Sequence, residues 1–121
     1  MARILIVDDS PSQRLGLKRI VEKIGHEALL SEDGAAGVEI ARNEQPDLIL
    51  MDVLMPNLNG FQATRTIRRD PTIAHIPVIL VTTKDQEPDK VWGIRQGAKA
   101  YVTKPVVENE LISTLEACLP V

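Results

Sequence analysis

The amino-acid sequence predicts an α/β fold in which an open, doubly wound parallel sheet of five strands lies between two layers of helices, a (βα)5 three-layer sandwich. Short apolar runs alternate with longer segments whose apolar residues recur at helical spacing. The runs are continuously apolar, which is typical of strands that helices cover on both faces. A length of 121 residues with 44% hydrophobic content suits one domain, whereas a closed barrel of eight units typically needs about 250 residues.

Each predicted strand ends where polar residues or turn formers begin. The five strands are Ile4–Asp8, Glu27–Leu30, Leu48–Asp52, Val78–Thr82 and Ala100–Val102. Two of them, in RILIVDDS and LILMDVLMPNLNG, run from large apolar residues directly into carboxylates. A carboxylate at the end of a buried strand needs a partner that offsets its loss of hydration.

Helical segments follow the strands in turn. The first helix begins at SPSQ, where Ser10 or Ser12 can cap it and Pro11 suits the first turn, and it ends before Gly25. The others are predicted in the segments DGAAGVEIARN, GFQATRTIRRD, EPDKVWGIRQG and VENELISTLEACL. Strict alternation of strands and helices predicts parallel βαβ units.

Composition and charge exclude several classes of function. The net charge of −3 and the pI of about 5.4 give no reason to expect nucleic-acid binding, which usually shows a basic surplus. Cys118 is the only cysteine, so no internal disulfide is possible and a reducing compartment fits. We expect no signal peptide, because the apolar run in MARILIVDD is too short before the acids. No apolar stretch approaches the roughly 18 residues of a membrane span. We therefore expect a cytoplasmic protein with one domain over residues 1–121, without an output domain, membrane insertion or a nucleic-acid partner.

Several polar residues are predicted at one edge of the sheet. In a doubly wound sheet the ligand site lies beyond the carboxyl ends of the strands. Asp8, Asp9, Asp52 and Thr82 stand at that edge, and Lys104 follows the last strand. Two carboxylates about 5 Å apart repel by roughly 3 kcal/mol at an effective dielectric near 20, so three acids in one place favour a bound cation.

The chemistry of this cluster favours Mg²⁺, because that ion takes hard oxygen ligands and shares phosphate oxygens. In the alternative, the acids are separate helix N-caps. Thr82 can donate to a phosphate oxygen, or it is simply a β-branched residue that suits a strand. Lys104 can neutralise phosphate charge, or it is a solvated surface lysine. A cis bond before Pro105, a form that about 5% of X-Pro bonds adopt, would aim Lys104 back across the edge.

Four motifs match one family in order and spacing over essentially the whole chain. IVDDS, LILMDVLMPNLNG, VILVTT and YVTKP resemble segments of the receiver domains of two-component response regulators. The resemblance implies a flavodoxin-like strand order of 2-1-3-4-5. It also implies a signalling switch and not an enzyme, since a receiver takes part only in its own phosphotransfer and dephosphorylation.

The resemblance implies a role for each residue of the cluster. Asp52 is implied as the phosphoacceptor, which takes a phosphoryl group from the phosphohistidine of a sensor histidine kinase. Asp8, Asp9 and Asp52 are implied as Mg²⁺ ligands, with the backbone carbonyl of Leu54 as a further ligand. Lys104 is implied to contact the phosphoryl group.

The same resemblance implies a switch. Thr82 is the switch hydroxyl, and Tyr101 is the aromatic residue that turns inward when Thr82 moves toward the phosphate, which changes the face of the fourth helix and fifth strand. Val106 stands where many receivers have phenylalanine. Leu54, two positions past the acceptor, is large and apolar, and we hypothesise that it slows loss of the phosphoryl group.

Within the family, MARILIVDDSPSQ and LMPNLNGFQATR are most similar to the small stand-alone receivers of twitching-motility (type IV pilus) chemosensory systems. They are nearer to the pilus-retraction member than to the flagellar-motor receiver. We therefore expect a chemosensory histidine kinase as donor and a downstream motor or pilus protein as partner. The alternatives within the family are a phosphate sink for a shared kinase and a flagellar-type chemotaxis receiver.

Two other classes share parts of the pattern. A flavodoxin-like electron carrier usually has aromatic rings against the flavin and a first loop rich in hydroxyls, but aromatic residues are 2% here and that loop is acidic. An aspartyl-phosphate phosphatase commonly has a second aspartate where Leu54 stands. Of the remaining features, Trp92 is predicted to pack in the core, with partner binding as the alternative, and RTIRRD is predicted to be a solvated helix face.

Overall fold

Five parallel strands form one sheet in the computed structural model, which describes residues 1–120. The strands are β1 (Arg3–Val7), β2 (Glu27–Ser31), β3 (Leu48–Met51), β4 (Val78–Thr82) and β5 (Ala100–Thr103). Their order is β2-β1-β3-β4-β5, and every neighbouring pair is parallel. The predicted fold class and strand order are therefore confirmed. β1 and β3 end one residue earlier than predicted, so Asp8 and Asp52 lie just outside the sheet.

Five helices cover the sheet. They are α1 (Pro11–Lys23), α2 (Gly34–Glu44), α3 (Gly60–Arg69), α4 (Glu87–Arg95) and α5 (Glu108–Cys118). Ser10, and not Ser12, caps α1, because its hydroxyl accepts a hydrogen bond from the Gln13 N–H at 3.4 Å. α3 begins with a capping box in which the side chains of Asn59 and Gln62 each accept from the other's backbone N–H. Among the described residues, none of the helices combines the length and hydrophobicity that a membrane span requires.

Side-chain alternation along the strands divides the core into two halves. Leu5 and Val7 of β1 pack on one side with buried residues of α2 and α3. Ile4 and Ile6 pack on the other side with buried residues of α1 and α5. Because burial of each such side chain contributes about 1.5–3 kcal/mol, the central strands are held firmly. Their carboxyl ends form a rigid base for any site at that edge.

Helix α4 is anchored through one small residue. Gly93 is its only buried residue, and a Cβ there would lie 2.7 Å from Leu80 Cδ1 and 3.0 Å from the Tyr101 ring. Trp92, the next residue along the helix, is 48% exposed. The prediction that Trp92 packs in the core is therefore wrong, because α4 meets the sheet on the glycine side and leaves the indole at the surface.

The basic run RTIRRD is only partly a solvated face. The Arg68 guanidinium donates hydrogen bonds to the backbone carbonyls of Ala74, Ile76 and Gly97 at 2.6, 2.7 and 2.8 Å. Burial lowers the pKa of Arg68. The prediction of a solvated face is wrong for this residue, since it joins the end of α3 to the loops that precede β4 and β5. The other two arginines of the run are exposed.

Candidate functional site

The parallel pairing of β1 and β3 brings two acids side by side. Val7 pairs with Met51 in the register of these strands, and the Asp52 N–H donates to the Val7 carbonyl at 2.9 Å. One carboxylate oxygen from each of Asp8, Asp9 and Asp52 lies within 4.8 Å of the other two. The structure thus brings together the three acids that the sequence places at this edge.

Two of the three carboxylates are buried. Asp8 and Asp52 are 1% and 7% exposed, while Asp9 is exposed at the rim. The Ser10 N–H donates to Asp8 Oδ1 at 2.9 Å, and the Val53 N–H donates to Asp52 Oδ1 at 2.7 Å. Burial raises the pKa of Asp52, a nearby lysine opposes the rise, and the charge of Asp8 adds to it. A further positive charge at this point would therefore favour the ionised form of Asp52.

Lys104 supplies the positive charge closest to the buried acids. Its Nζ lies 2.8 Å from Asp8 Oδ2 and 3.5 Å from Asp52 Oδ2. The side chain is only 9% exposed, so the alternative of a solvated surface lysine is wrong. Its backbone N–H donates to the Thr82 carbonyl at 2.8 Å, and the bond that joins it to Pro105 is cis.

Thr82 and Tyr101 both contact the backbone of Lys84 in the loop after β4. Thr82 is fully buried, and its hydroxyl accepts a long hydrogen bond from the Lys84 N–H at 3.4 Å. The Tyr101 hydroxyl donates to the Lys84 carbonyl at 2.7 Å. Burial raises the pKa of Tyr101 to about 12, and the charges of Asp89 and Asp52 add to this, so the hydroxyl remains a donor at neutral pH. A displacement of this loop would change both contacts together.

The donor set of the cluster suits Mg²⁺. Its three carboxylates are hard oxygen ligands within reach of one ion. The alternative that the acids are helix N-caps is wrong, because Ser10, Asp33 and Asn59 cap the first three helices. The Leu54 N–H lies 3.4 Å from Asp52 Oδ1, which places the Leu54 backbone beside the cluster. The role of the Leu54 carbonyl as a ligand stays a prediction.

The acid cluster opens into a cleft beside α1. The cleft has a volume of about 620 Å³, and its walls include Asp52 and Lys104 on one side and Gly16 and Ile20 on the other. A Cβ at Gly16 would meet nothing within 4 Å. The cleft is therefore unobstructed at Gly16 on its α1 side.

Two residues of the site were missed by reasoning from the sequence. A Cβ on Gly60 would overlap the Asp52 carbonyl oxygen and lie 2.8 Å from the carbonyl carbon. The Gly60 N–H also donates to the Val53 carbonyl at 3.0 Å. The available signal was a glycine at the first position of a helix, where no turn requires one. Arg14 donates to the Asp8 carbonyl at 2.7 Å, and no pattern in its local sequence predicts that contact.

Comparison with known proteins identifies the class. Residues 4–116 match the family model described as the response regulator receiver domain. The chain therefore belongs to the response regulator receiver family. Receiver domains of this family are signalling modules that histidine kinases phosphorylate and that bind Mg²⁺ at an acidic pocket.

Individual relatives are similar over nearly the whole chain. Protein PilH of Pseudomonas aeruginosa is 59% identical over 119 residues, with 98% of each chain covered. The transcriptional regulator RpaA of Synechocystis is 37% identical over 119 residues, which span 98% of this chain and 49% of that protein. The chemotaxis protein CheY4 of Vibrio cholerae has a similar structure, with a TM-score of 0.92, 30% identity and coverage of 98% and 99% of the two chains.

Proposed function

We propose that this protein is a phosphorylation-controlled switch that takes a phosphoryl group from a histidine kinase onto Asp52. The observation that carries the proposal is the convergence of three acids and one lysine at the carboxyl edge of the sheet. Asp52 Oδ1 accepts backbone N–H groups, whereas Oδ2 lies toward Lys104. Oδ2 is then the oxygen that attacks phosphorus. The O–P bond forms as the P–N bond to the kinase histidine breaks, and the electron pair of that bond leaves on the imidazole nitrogen.

The residues around Asp52 are proposed to bind Mg²⁺ and the phosphoryl group. Asp8, Asp9 and Asp52 would hold Mg²⁺ with the Leu54 carbonyl, and the bound ion supplies positive charge that offsets the carboxylates and polarises phosphoryl oxygens. Lys104 donates to a phosphoryl oxygen from its position beside Asp8. Phosphoryl transfer depends mainly on positioning and charge stabilisation, and this arrangement provides both.

The proposed switch runs from Thr82 to α4. A phosphoryl group adds nearly two negative charges and three acceptor oxygens. The Thr82 hydroxyl makes only a long bond to Lys84, so it can turn to donate to a phosphoryl oxygen. The loop then shifts, Tyr101 follows its bond to Lys84, and α4, which rests on the Tyr101 ring through Gly93, changes position. A shift from about 1:99 to 99:1 needs roughly 5.5 kcal/mol, which two or three charge-assisted bonds of about 1.5–3 kcal/mol supply.

We also propose a setting for this switch. The 59% identity to PilH supports signalling in a type IV pilus system, with a chemosensory histidine kinase as donor and a pilus or motor protein as target. In this setting the receiver acts in the cytoplasm, and it is not a turnover enzyme. A phosphate sink for a shared kinase would use the same phosphotransfer chemistry. Phosphorylation of a sink, however, would not change its affinity for a pilus or motor protein.

Phosphotransfer from radiolabelled histidine kinases tests the chemistry. Label should reach the wild-type protein in Mg²⁺ and not in EDTA, and Asp52→Asn should take up none. Asp33→Asn is the matched control, because Asp33 is a cap of α2 and asparagine caps equally well. Labelling of Asp52→Asn at the wild-type rate would disprove the assignment. Faster transfer from a flagellar-type kinase than from a pilus-type kinase would disprove only the setting.

Leu54 is proposed to set the lifetime of the phosphorylated state. Its backbone adjoins Asp52 and the residue is 53% exposed, so its side chain can limit the approach of water to the acyl phosphate. Leu54→Asn should shorten the half-life of the label by severalfold in a chase experiment from which the radiolabelled kinase has been removed. An unchanged half-life would refute this role while leaving Asp52 as the acceptor.

A further inference from the structure

A groove between α3 and α4 surrounds the single tryptophan of the chain with arginines. We call it the arginine–tryptophan groove, and it is lined by Arg65, Arg68, Arg69, Trp92, Arg95 and Gln96. Its volume is about 380 Å³. The groove lies on the α3 side of α4, and neither the acid cluster nor any residue of β5 or α5 contributes to it. It is therefore a surface separate from the proposed phosphorylation site and from the Tyr101 side of α4.

Three of these arginines have no partner within residues 1–120. Arg65, Arg69 and Arg95 form no ion pair with any described carboxylate. Arg3 and Arg42, by contrast, each contact two carboxylates. Three guanidinium groups without a carboxylate partner therefore line one groove.

Helix dipoles do not account for the whole cluster. Arg69 and Arg95 lie in the last turns of α3 and α4, where a positive charge interacts favourably with the helix dipole. Arg65 is in the middle of α3, and the half-exposed indole of Trp92 lies among the guanidinium groups. Arg68 also lines the groove, but its guanidinium already donates to three backbone carbonyls. The three unpaired arginines and the Trp92 indole remain free to contact another molecule.

The chemistry of the groove selects a polypeptide partner. Arginine binds carboxylates in a bidentate geometry, and tryptophan and arginine dominate protein–protein hot spots. Both helices present their C-terminal ends here, so no free backbone N–H groups are available to hold a phosphate as they do at a helix N-terminus. The groove is also open to solvent, whereas sites for small molecules enclose most of their ligand. A nucleotide is therefore disfavoured.

We propose that the arginine–tryptophan groove docks an acidic segment of a partner protein. Its carboxylates pair with Arg65, Arg69 and Arg95, and an apolar side chain of the segment covers the Trp92 indole. The proposal does not depend on phosphorylation of Asp52. It can stand if the proposed phosphotransfer fails, and the reverse also holds.

Intrinsic fluorescence tests the proposal directly, because Trp92 is the only tryptophan. The probe is a synthetic peptide of repeated Glu-Glu-Leu-Leu units, titrated into the 121-residue protein at low salt. The comparison peptide has lysine in place of glutamate. We expect a saturable change in fluorescence with the glutamate peptide alone. Added salt should weaken the binding, because exposed ion pairs are screened.

Charge-reversal variants decide whether the groove is the site. The double variant Arg69→Glu, Arg95→Glu should weaken peptide binding at least tenfold. Arg19→Glu, which reverses an exposed arginine of α1, should leave it unchanged. Trp92→Ala, followed by the anisotropy of a fluorescein-labelled peptide, should weaken binding without a change of charge, and circular dichroism checks that each variant is folded. Equal binding by wild type and the double variant, no saturable response, or tighter binding of ATP than of peptide would overturn the proposal.

Discussion

Replacing Lys104 by methionine tests whether one ammonium group neutralises the buried acids. The Lys104 Nζ lies 2.8 Å from Asp8 Oδ2 and 3.5 Å from Asp52 Oδ2, and the three side chains are 9%, 1% and 8% exposed. Methionine keeps the apolar stem and removes the charge. Loss of one partner from a buried ion pair costs about 3–5 kcal/mol, and proton uptake by a carboxylate limits that loss. We expect the free energy of unfolding to fall by about 3 kcal/mol in EDTA.

The same substitution should strengthen binding of Mg²⁺. An ammonium group and a cation held by the acids repel, by roughly 3 kcal/mol for each unit of cation charge at about 5 Å and a dielectric near 20. If Lys104→Met removes about half of the repulsion that acts on one unit of cation charge, Mg²⁺ should bind about tenfold more tightly, which corresponds to about 1.4 kcal/mol. An ion that binds only the folded state raises the free energy of unfolding. Mg²⁺ should therefore stabilise Lys104→Met by at least about 1 kcal/mol more than it stabilises the wild type.

Urea unfolding, followed by circular dichroism with and without about 10 mM MgCl₂, measures both effects. Lys99→Met is the matched control, since Lys99 is exposed and forms no ion pair among the described residues. A loss below about 1 kcal/mol in EDTA would show that Lys104 is not what neutralises the acids. Equal stabilisation of variant and wild type by Mg²⁺ would show that the lysine and the metal do not share a site.

Three further perturbations test other parts of the molecule. Arg68→Ala removes a guanidinium that donates to three backbone carbonyls. Such bonds contribute about 1.5–3 kcal/mol each and burial opposes part of this, so urea unfolding should show a loss of about 2–4 kcal/mol, and less than about 1 would contradict this role. Gly60→Ala sets a methyl group against the backbone of the proposed phosphoacceptor, and we expect a loss of about 1–3 kcal/mol with slower phosphotransfer. Gly16→Ala, where the Cβ meets open space, should be neutral or stabilising, and equal effects of the two changes would rule out the packing explanation. The Arg42 guanidinium beside Asp70 lowers the pKa of Asp70 to about 2, so its stabilising contribution is complete above the usual aspartate pKa of about 3.9 and is lost as the pH falls through about 2. The difference in unfolding free energy between wild type and Asp70→Asn should shrink over that interval, and a constant difference would argue against the pair.

Local patterns predicted the elements and the edge at which the acids meet. Alternating apolar runs and helical stripes identify strands and helices one at a time, and strict alternation makes the strands parallel. Parallel strands end at the same edge, so the position of Asp8 and Asp52 followed from topology alone. The order of the strands was reached through the resemblance, and pairing of β1 with both β2 and β3 confirms it.

Local patterns failed where burial depends on a distant segment. Helical spacing in α4 does not reveal which side meets the sheet, and the contact is made by Gly93 and not by Trp92. The partners of Arg68 include the Gly97 carbonyl, 29 residues away along the chain. No window of sequence around either residue contains the other half of the contact.

The sequence by itself determined the fold class, the order of the elements along the chain and the presence of acids at the ends of two buried strands. These properties depend on hydrophobic periods that a few neighbouring residues define. Only the tertiary structure decided that Lys104 is buried between Asp8 and Asp52 and that Gly60 packs on the Asp52 backbone. The physical reason is that Coulomb interaction and close packing depend on distances between atoms, and those distances exist only once the strands have paired and the helices have packed on them.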